Sequence, residues 1–512
     1  MVAHHRHDRD PAAGAAPRPW WTARSSRRNC PLGTLSLLGG AGSWSAPLLT
    51  IALLSLLVLT RVLAFPNSIW DQDEAYLGLA VIDFDPADNR PHPPWFPAWV
   101  AAGRLVAPLC SQPTDGLRVL SSVASVWTVF PLTALFGIWL RRDLALASAL
   151  LYLSLPGPWF LAGRSFSDTP ATFLLVLTAA WWLRPDPSRS DLVRGSLAGG
   201  LCLLVRPQLA LPVLGLLVWR LWACRGRGLA VRVAGPLLVV VGIGAVGLVV
   251  ASGGVAPLAD AWRVHAEYQL SGLDPVELSL RDSGPARALI RPEAAVVWIV
   301  LAVVGCAVWA RGRAVVGSPL PLVVAVVAPL VVTVAFLTNP EITRYALPLL
   351  AFTSGPVVVA VAAVAGRLAF GLVALAVTAS LTAGVPQALA YRSRPSPVVA
   401  ALTLADELAV QTGSTLVVER TLLSFADYLA VSDRLRSDVV VDFSIEIGAV
   451  ESPDPSATVA VFPGRRAGFV RTSEYQQDIS CPMSWMLRLE SDRFLDVGVA
   501  AGAHLEPGGT RW

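Results

Sequence analysis

Lysine is absent from this chain: all 40 of its basic residues are arginine, and charged residues of both signs fill only 15% of its 512 positions. A soluble protein of this length needs far more charge to cover its surface, so a water-soluble globule is excluded. The arginines are not interleaved with aromatic residues in a patch, which excludes a nucleic-acid partner. The cysteines, at 30, 110, 202, 224, 306 and 481, have no paired spacing and read as neither a metal knuckle nor a disulfide framework. The lack of lysine beside heavy use of Ala, Val, Leu, Arg and Gly reflects a high-GC genome, a matter of codons rather than function.

Apolar sequence fills the space that charge leaves. Hydrophobic residues make up 54% of the chain, mean hydropathy is +0.57, and several runs reach the roughly 20 residues that cross a bilayer. The chain is predicted to be a polytopic α-helical membrane protein. Residues 1–45, rich in Arg, His, Pro and Ala, read as a disordered cytoplasmic tail. Arg24, Arg27 and Arg28 before the first apolar run resemble a signal peptide, but no small-residue cleavage site closes it, so 46–65 is expected to stay as the first helix.

Further spans are expected at 118–140, 143–163, 168–183, 195–222, 230–252, 292–310, 318–338, 345–365 and 367–390. The pairs Arg141-Arg142 and Arg311/Arg313, with Arg184, Arg220 and Arg367, orient them by the positive-inside rule. That orientation requires 94–109, with its prolines and Arg104, to lie in the outer interface rather than cross. It also requires 195–222 to leave and return on one side, as two short crossings or a re-entrant hairpin broken at Arg206-Pro207. Two crossings there give about eleven spans in the plasma membrane. The loop 66–117, Asp168, the loop 253–291 and Asn339–Arg344 then all face outward. After residue 390, segments such as TLVVE, DVVVDF, ATVAVF and WMLRLE read as strands, and 397–411 and 421–433 as helices. These make 391–512 a small α/β domain on the outer face.

Carboxylates at a bilayer's edge are costly and are usually kept for chemistry. Asp71, Asp73 and Glu74 lie in WDQDEAY just after the first span, bracketed by Trp70 and Tyr76; a solvated acidic loop is the plainer explanation. His92 sits in a proline-locked PHPPWFP turn, where prolines entering an interfacial helix account for the pattern equally well. Asp168, before Thr169-Pro170, suits a helix N-cap as well as a functional acid. Arg344, in NPEITRY, stands on the face that the positive-inside rule leaves poor in arginine, and its guanidinium can fork onto phosphate oxygens; snorkelling to headgroups is the alternative. Arg206 and Arg164 are weaker candidates. His265, Glu267 and Tyr268 could reach the same place, though no spacing supports them.

The order of these pieces resembles a known family. An acidic element (Asp73-Glu74-x-Tyr76), a His92-Pro-Pro element, Asp168, Gly195-x-x-x-Gly199 with Arg206-Pro207, and a late Thr343-Arg344-Tyr345 follow as in the GT-C membrane glycosyltransferases. The likeness is to the branch holding protein O-mannosyltransferases and bacterial aminoarabinose transferases, over roughly residues 46–390. It implies a polyprenyl-phosphate sugar donor and an acceptor hydroxyl outside the membrane, on protein, glycolipid or cell-wall glycan. It further implies that Asp73 and Asp168 carry the catalysis; Glu74 is a further catalytic candidate, though the family pattern does not fix whether it or Asp71 assists. His92, Arg344, Tyr76, Arg206 and Tyr345 would bind substrate, and a divalent cation, Mg or Mn, is an option at Asp73 and Asp168. A carboxylate base on the acceptor hydroxyl and a cation on the departing phosphate would give one inverting displacement. The competing classes are a transporter or lipid flippase, for which the break at Arg206-Pro207 is suggestive, and a receptor or assembly protein.

Overall fold

A computed structural model describes residues 45–500 other than 224–226, 272–282, 290, 312–317, 339–341, 413–414, 419–421, 437–438, 442–457, 464–468 and 476–494. The expected tail and the WMLRLE segment lie outside the described residues. Apolar helices dominate: α1 (Ser45–Leu63), α2 (Gln72–Ile82), α3 (Pro97–Val106), α4 (Pro113–Trp127), α5 (Val129–Phe136), α6 (Arg142–Ser154), α7 (Pro156–Leu161) and α8 (Asp168–Trp182). There follow α9 (Arg189–Val205), α10 (Ala210–Ala223), α11 (Arg227–Ala251) and α12 (Val255–Ser271), then long helices at Pro292–Ala310, Leu347–Ala365 and Ala369–Ser393. The segment Leu320–Leu337 alternates α and π turns. Six helical stretches among the described residues are long and apolar enough to cross a membrane. The α11 helix shows why water is not their solvent: Leu238, Val239, Ile243, Val246 and Val250 all lie on its exposed surface.

Several expected spans coincide with these helices, but 143–163 is two helices, α6 and α7, parted at Leu155-Pro156, and six stretches rather than eleven have the length and apolarity of a span among the described residues. Two other differences are informative. The span expected to start at 118 starts at Pro113, because a proline at the first helical position and Asp115 in the first turn suit a helix start. The outward loop 253–291 contains a helix, α12, whose Asp260, Arg263 and Glu267 kept its hydropathy below that of a span. The break expected at Arg206-Pro207 is present: α9 ends at Val205, Arg206 is extended, and Pro207–Leu209 form a 3-10 turn before α10. Proline cannot donate to the preceding turn, so the helix stops there.

Small residues allow the helices to approach closely. A Cβ on Gly195 would stand 2.4 Å from the Trp182 ring, and one on Gly305 would stand 1.8 Å from the Pro356 carbonyl. Trp159, Trp182 and Trp309 fill the bundle interior and are fully buried.

The C-terminal part has helices Pro397–Thr412 and Leu423–Val431 and a five-stranded sheet of order β2-β1-β3-β5-β4. Strands β1 (Thr415–Val418), β2 (Val439–Val441) and β3 (Thr458–Pro463) are mutually parallel neighbours; β5 (Leu495–Ala500) runs antiparallel between β3 and β4 (Phe469–Tyr475). This unit sits on α2: Ile69, Ala75 and Leu79 share a core with Leu402, Leu416, Phe425 and Tyr428. The Tyr428 hydroxyl lies 2.8 Å from that of Thr114, and its ring fills the space above Gly78. The helix carrying the acidic element is thereby clamped between the bundle and the α/β unit.

Candidate active site

The site is made of helix ends, because the apolar interiors of the helices hold few polar groups. Asp71 caps α2, accepting from the Asp73 amide at 2.9 Å. Asp73 and Glu74 follow in the first turn, where the helix dipole favours negative charge. One residue along a helix turns the side chain by about 100°, and the two carboxylates part company.

Glu74 points inward and is fully buried. It pairs with Arg164 at 2.7 Å and lies 3.9 Å from Arg118. It also accepts from the amides of Trp70 at 2.8 Å and Ser165 at 3.1 Å. Burial alone would raise its carboxyl pKa, but the two arginines outweigh burial and hold it below the usual range.

Asp73 points into a small cavity among whose lining residues are Leu77, His92, Phe96 and Phe166. Its carboxylate is bonded to Arg344, and His92 Nε2 stands 3.8 Å away. Burial pushes the Asp73 pKa up; Arg344 and His92 prevail and hold it at about 2. Asp71 is raised instead, by burial first, with repulsion from Asp73 adding to it and Arg344 opposing.

Across the cavity, Asp168 pairs with Arg206 at 2.9 Å. Arg206 also donates to the Ser167 hydroxyl at 2.9 Å and lies 4.8 Å above the Tyr345 ring. Arg344 comes from the 3-10 turn Thr343–Ala346. It stands on the Phe166 ring at 4.2 Å and brings Nε within 3.9 Å of Asp168. One guanidinium therefore links both aspartates.

The structure brings Asp73, His92, Asp168, Arg206, Arg344 and Tyr345 to one cavity. It does not bring Glu74 there; Glu74 lies in a separate buried ion-pair centre with Arg164. Arg164 goes with Glu74. Tyr76 is set back from the lining, packed edge-on against His92 at 5.7 Å. Asp168 is the first residue of α8 rather than its cap; Ser167 holds the cap position. His265 stacks on His92 at 5.4 Å, and Trp262 lies 5.8 Å from Trp95, which fastens α12 to the proline turn. Burial first, then the charge of His92, lowers the His265 pKa.

A divalent cation between Asp73 and Asp168 does not fit this arrangement. The Arg344 guanidinium occupies the span between the carboxylates, and Asp168 already has Arg206. Among the described residues no group of three or more His, Cys, Asp and Glu could hold a metal. Sequence reasoning missed Gln208, Phe166, Phe96 and Ser167, which also line the cavity. Only Gln208 carried a signal, as a polar residue in the apolar run after Arg206-Pro207.

No protein-family model and no curated protein matches the sequence. Among solved structures, the chain is similar to ArnT of Cupriavidus metallidurans. Against ArnT bound to undecaprenyl phosphate the TM-score is 0.53 at 13% identity, covering 90% of this chain and 99% of that one. Against the apo form it is 0.54 at 13%, covering 90% and 100%. The oligosaccharyltransferase of Archaeoglobus fulgidus gives 0.47 at 13%, with 79% of this chain spanning 66% of that one. The chain has the GT-C fold of membrane glycosyltransferases, and it is a multi-pass membrane protein.

Proposed function

We propose that this protein is a glycosyltransferase that moves a sugar from a polyprenyl-phosphate donor to an acceptor hydroxyl outside the membrane. The observation that carries the proposal is the Asp73–Arg344–Asp168–Arg206 cluster, in a cavity of helix ends, within a fold shared with ArnT along almost its whole length. The arginine-rich loops support placing this cavity, and the α/β unit seated on α2, on the outer face.

Asp73 is the general base. The acceptor oxygen attacks the anomeric carbon as its proton passes to Asp73, and the carbon–oxygen bond to the lipid phosphate breaks in the same displacement. The configuration inverts, and the phosphate leaves as an anion on Arg344 and Arg206. A carboxylate held at about 2 is a weak base. A donor phosphate competing for Arg344 removes the group that holds it there, so the base is strengthened by the arrival of the donor. Asp168, paired with Arg206, fixes that guanidinium.

The test is transfer from radiolabelled polyprenyl-phosphate sugars by the purified full-length protein in lipid. Transport or flipping without a new glycosidic bond would overturn the proposal, as would full activity in Asp73→Asn.

A further inference from the structure

The cavity is lined by a carboxamide that its ion pairs do not use. The carboxamide of Gln208 lines the space, and its Oε1 is buried without a hydrogen-bond partner. Buried acceptors in native proteins are nearly always satisfied, so an unpartnered one on a residue that lines the cavity calls for a donor from outside the chain. The local fold aims it there. Pro207 stops α9, and the 3-10 turn Pro207–Leu209 presents Gln208 next to Arg206, whose guanidinium is committed to Asp168 and Ser167.

The charged groups in the cavity are matched to one another: Asp73 with Arg344, Asp168 with Arg206. Once the donor phosphate draws Arg344 away, Asp73 is committed to the acceptor hydroxyl and Asp168 to Arg206, so a sugar bearing an ammonium group finds no carboxylate to spare and one bearing a carboxylate finds no spare guanidinium. A hydroxyl needs neither and can donate to Gln208. The ring residues Phe96, Phe166 and Tyr345 line the same space and suit the apolar faces of a pyranose or furanose.

We infer that Gln208 is a specificity-determining residue that accepts a hydrogen bond from a hydroxyl of the transferred sugar, and that the site takes an uncharged sugar. The inference rests on the glycosyl-transfer reading and narrows its substrate class. A site built to hydrogen-bond a hydroxyl discriminates strongly against its absence, because the protein's own polar group is then left unpaired.

The experiment uses the full-length protein in lipid with undecaprenyl-phosphate-linked mannose, glucose and galactose, each beside its 2-amino and 6-uronic counterparts. The neutral donors are expected to lead their charged counterparts by at least tenfold in kcat/KM. Gln208→Leu is expected to lower kcat/KM for the best neutral donor by ~100-fold, mostly through KM. Thermal stability should be unchanged, since the mutation removes a polar group with no partner. Gln208→Glu should shift the preference toward the amino sugar. Equal use of charged donors by the wild type, or an unchanged kcat/KM in Gln208→Leu, would overturn this inference alone. Absence of transfer from every donor would overturn the glycosyl-transfer reading and this one with it.

Discussion

Asp73 and Glu74 are neighbours in one helical turn, yet they belong to two different regions. Glu74 has no exposed surface and two arginines, Arg164 and Arg118, packed around it. The Asp73 side chain keeps 26% of its surface and faces a cavity with a single strong partner, Arg344. The first region is a closed network joining α2, α4 and the loop before α8. The second opens on a cavity lined by His92, Gln208 and Tyr345. An acid with every lone pair occupied holds structure together; an acid whose partner can be drawn away by a substrate can do chemistry. Both raise the same signal in a sequence.

Breaking the closed region should have the largest effect on stability. Glu74→Ala would leave Arg164 buried without its carboxylate and Arg118 with Asp115 alone, at a cost of roughly 3–5 kcal/mol. Thermal unfolding in detergent should show the loss, with little folded protein recovered. The same network is sensitive to acid. The Glu74 pKa is depressed on folding, so its contribution is complete above the unfolded value of about 4.3 and is lost as pH falls through the lower folded value.

The open region should respond in function instead. Arg344→Lys keeps the charge but loses the fork onto phosphate, and donor KM is expected to rise about tenfold without a change in unfolding temperature. Asp71 tests the boundary between the regions. As the N-cap of α2 it contributes ~1 kcal/mol, so Asp71→Ala should lower stability slightly and leave chemistry in place.

The smallest effect concerns α12. The His265 pKa is lowered by its surroundings, so its neutral form is the one that packs, and stability is lost as pH falls below the ordinary value of about 6.5. The groups facing it are His92 and, beyond it, Asp73. Amide protection factors in α12, corrected for the intrinsic rate, should fall between pH 7 and 5, and His265→Phe should abolish that dependence.

Much of this was legible in the sequence, for identifiable reasons. Long apolar runs and arginine asymmetry mark the helices, and Pro207 marks the break after α9. Charges are scarce enough in this chain that those near span ends stand out, which brought Asp73, Asp168, Arg206 and Arg344 forward. The separation of Glu74 from Asp73 was not legible because composition cannot tell which side of a helix a carboxylate faces when both sides are buried against something. Phe96 and Phe166 were invisible among so many apolar residues. Gln208, being uncharged, carried no cost argument to set it apart. The α12 helix was missed because its charges keep it below the hydropathy of a span.

The most direct measurement is sugar transfer by Asp73→Asn beside Glu74→Gln, each normalised to folded protein in the same membranes. Asp73→Asn should fold normally and lose about 10²–10⁴ of the transfer rate. Glu74→Gln should lose stability while its folded fraction transfers at close to the wild-type rate. If Asp73→Asn transfers normally, or folded Glu74→Gln is inactive, the division between the two regions is wrong.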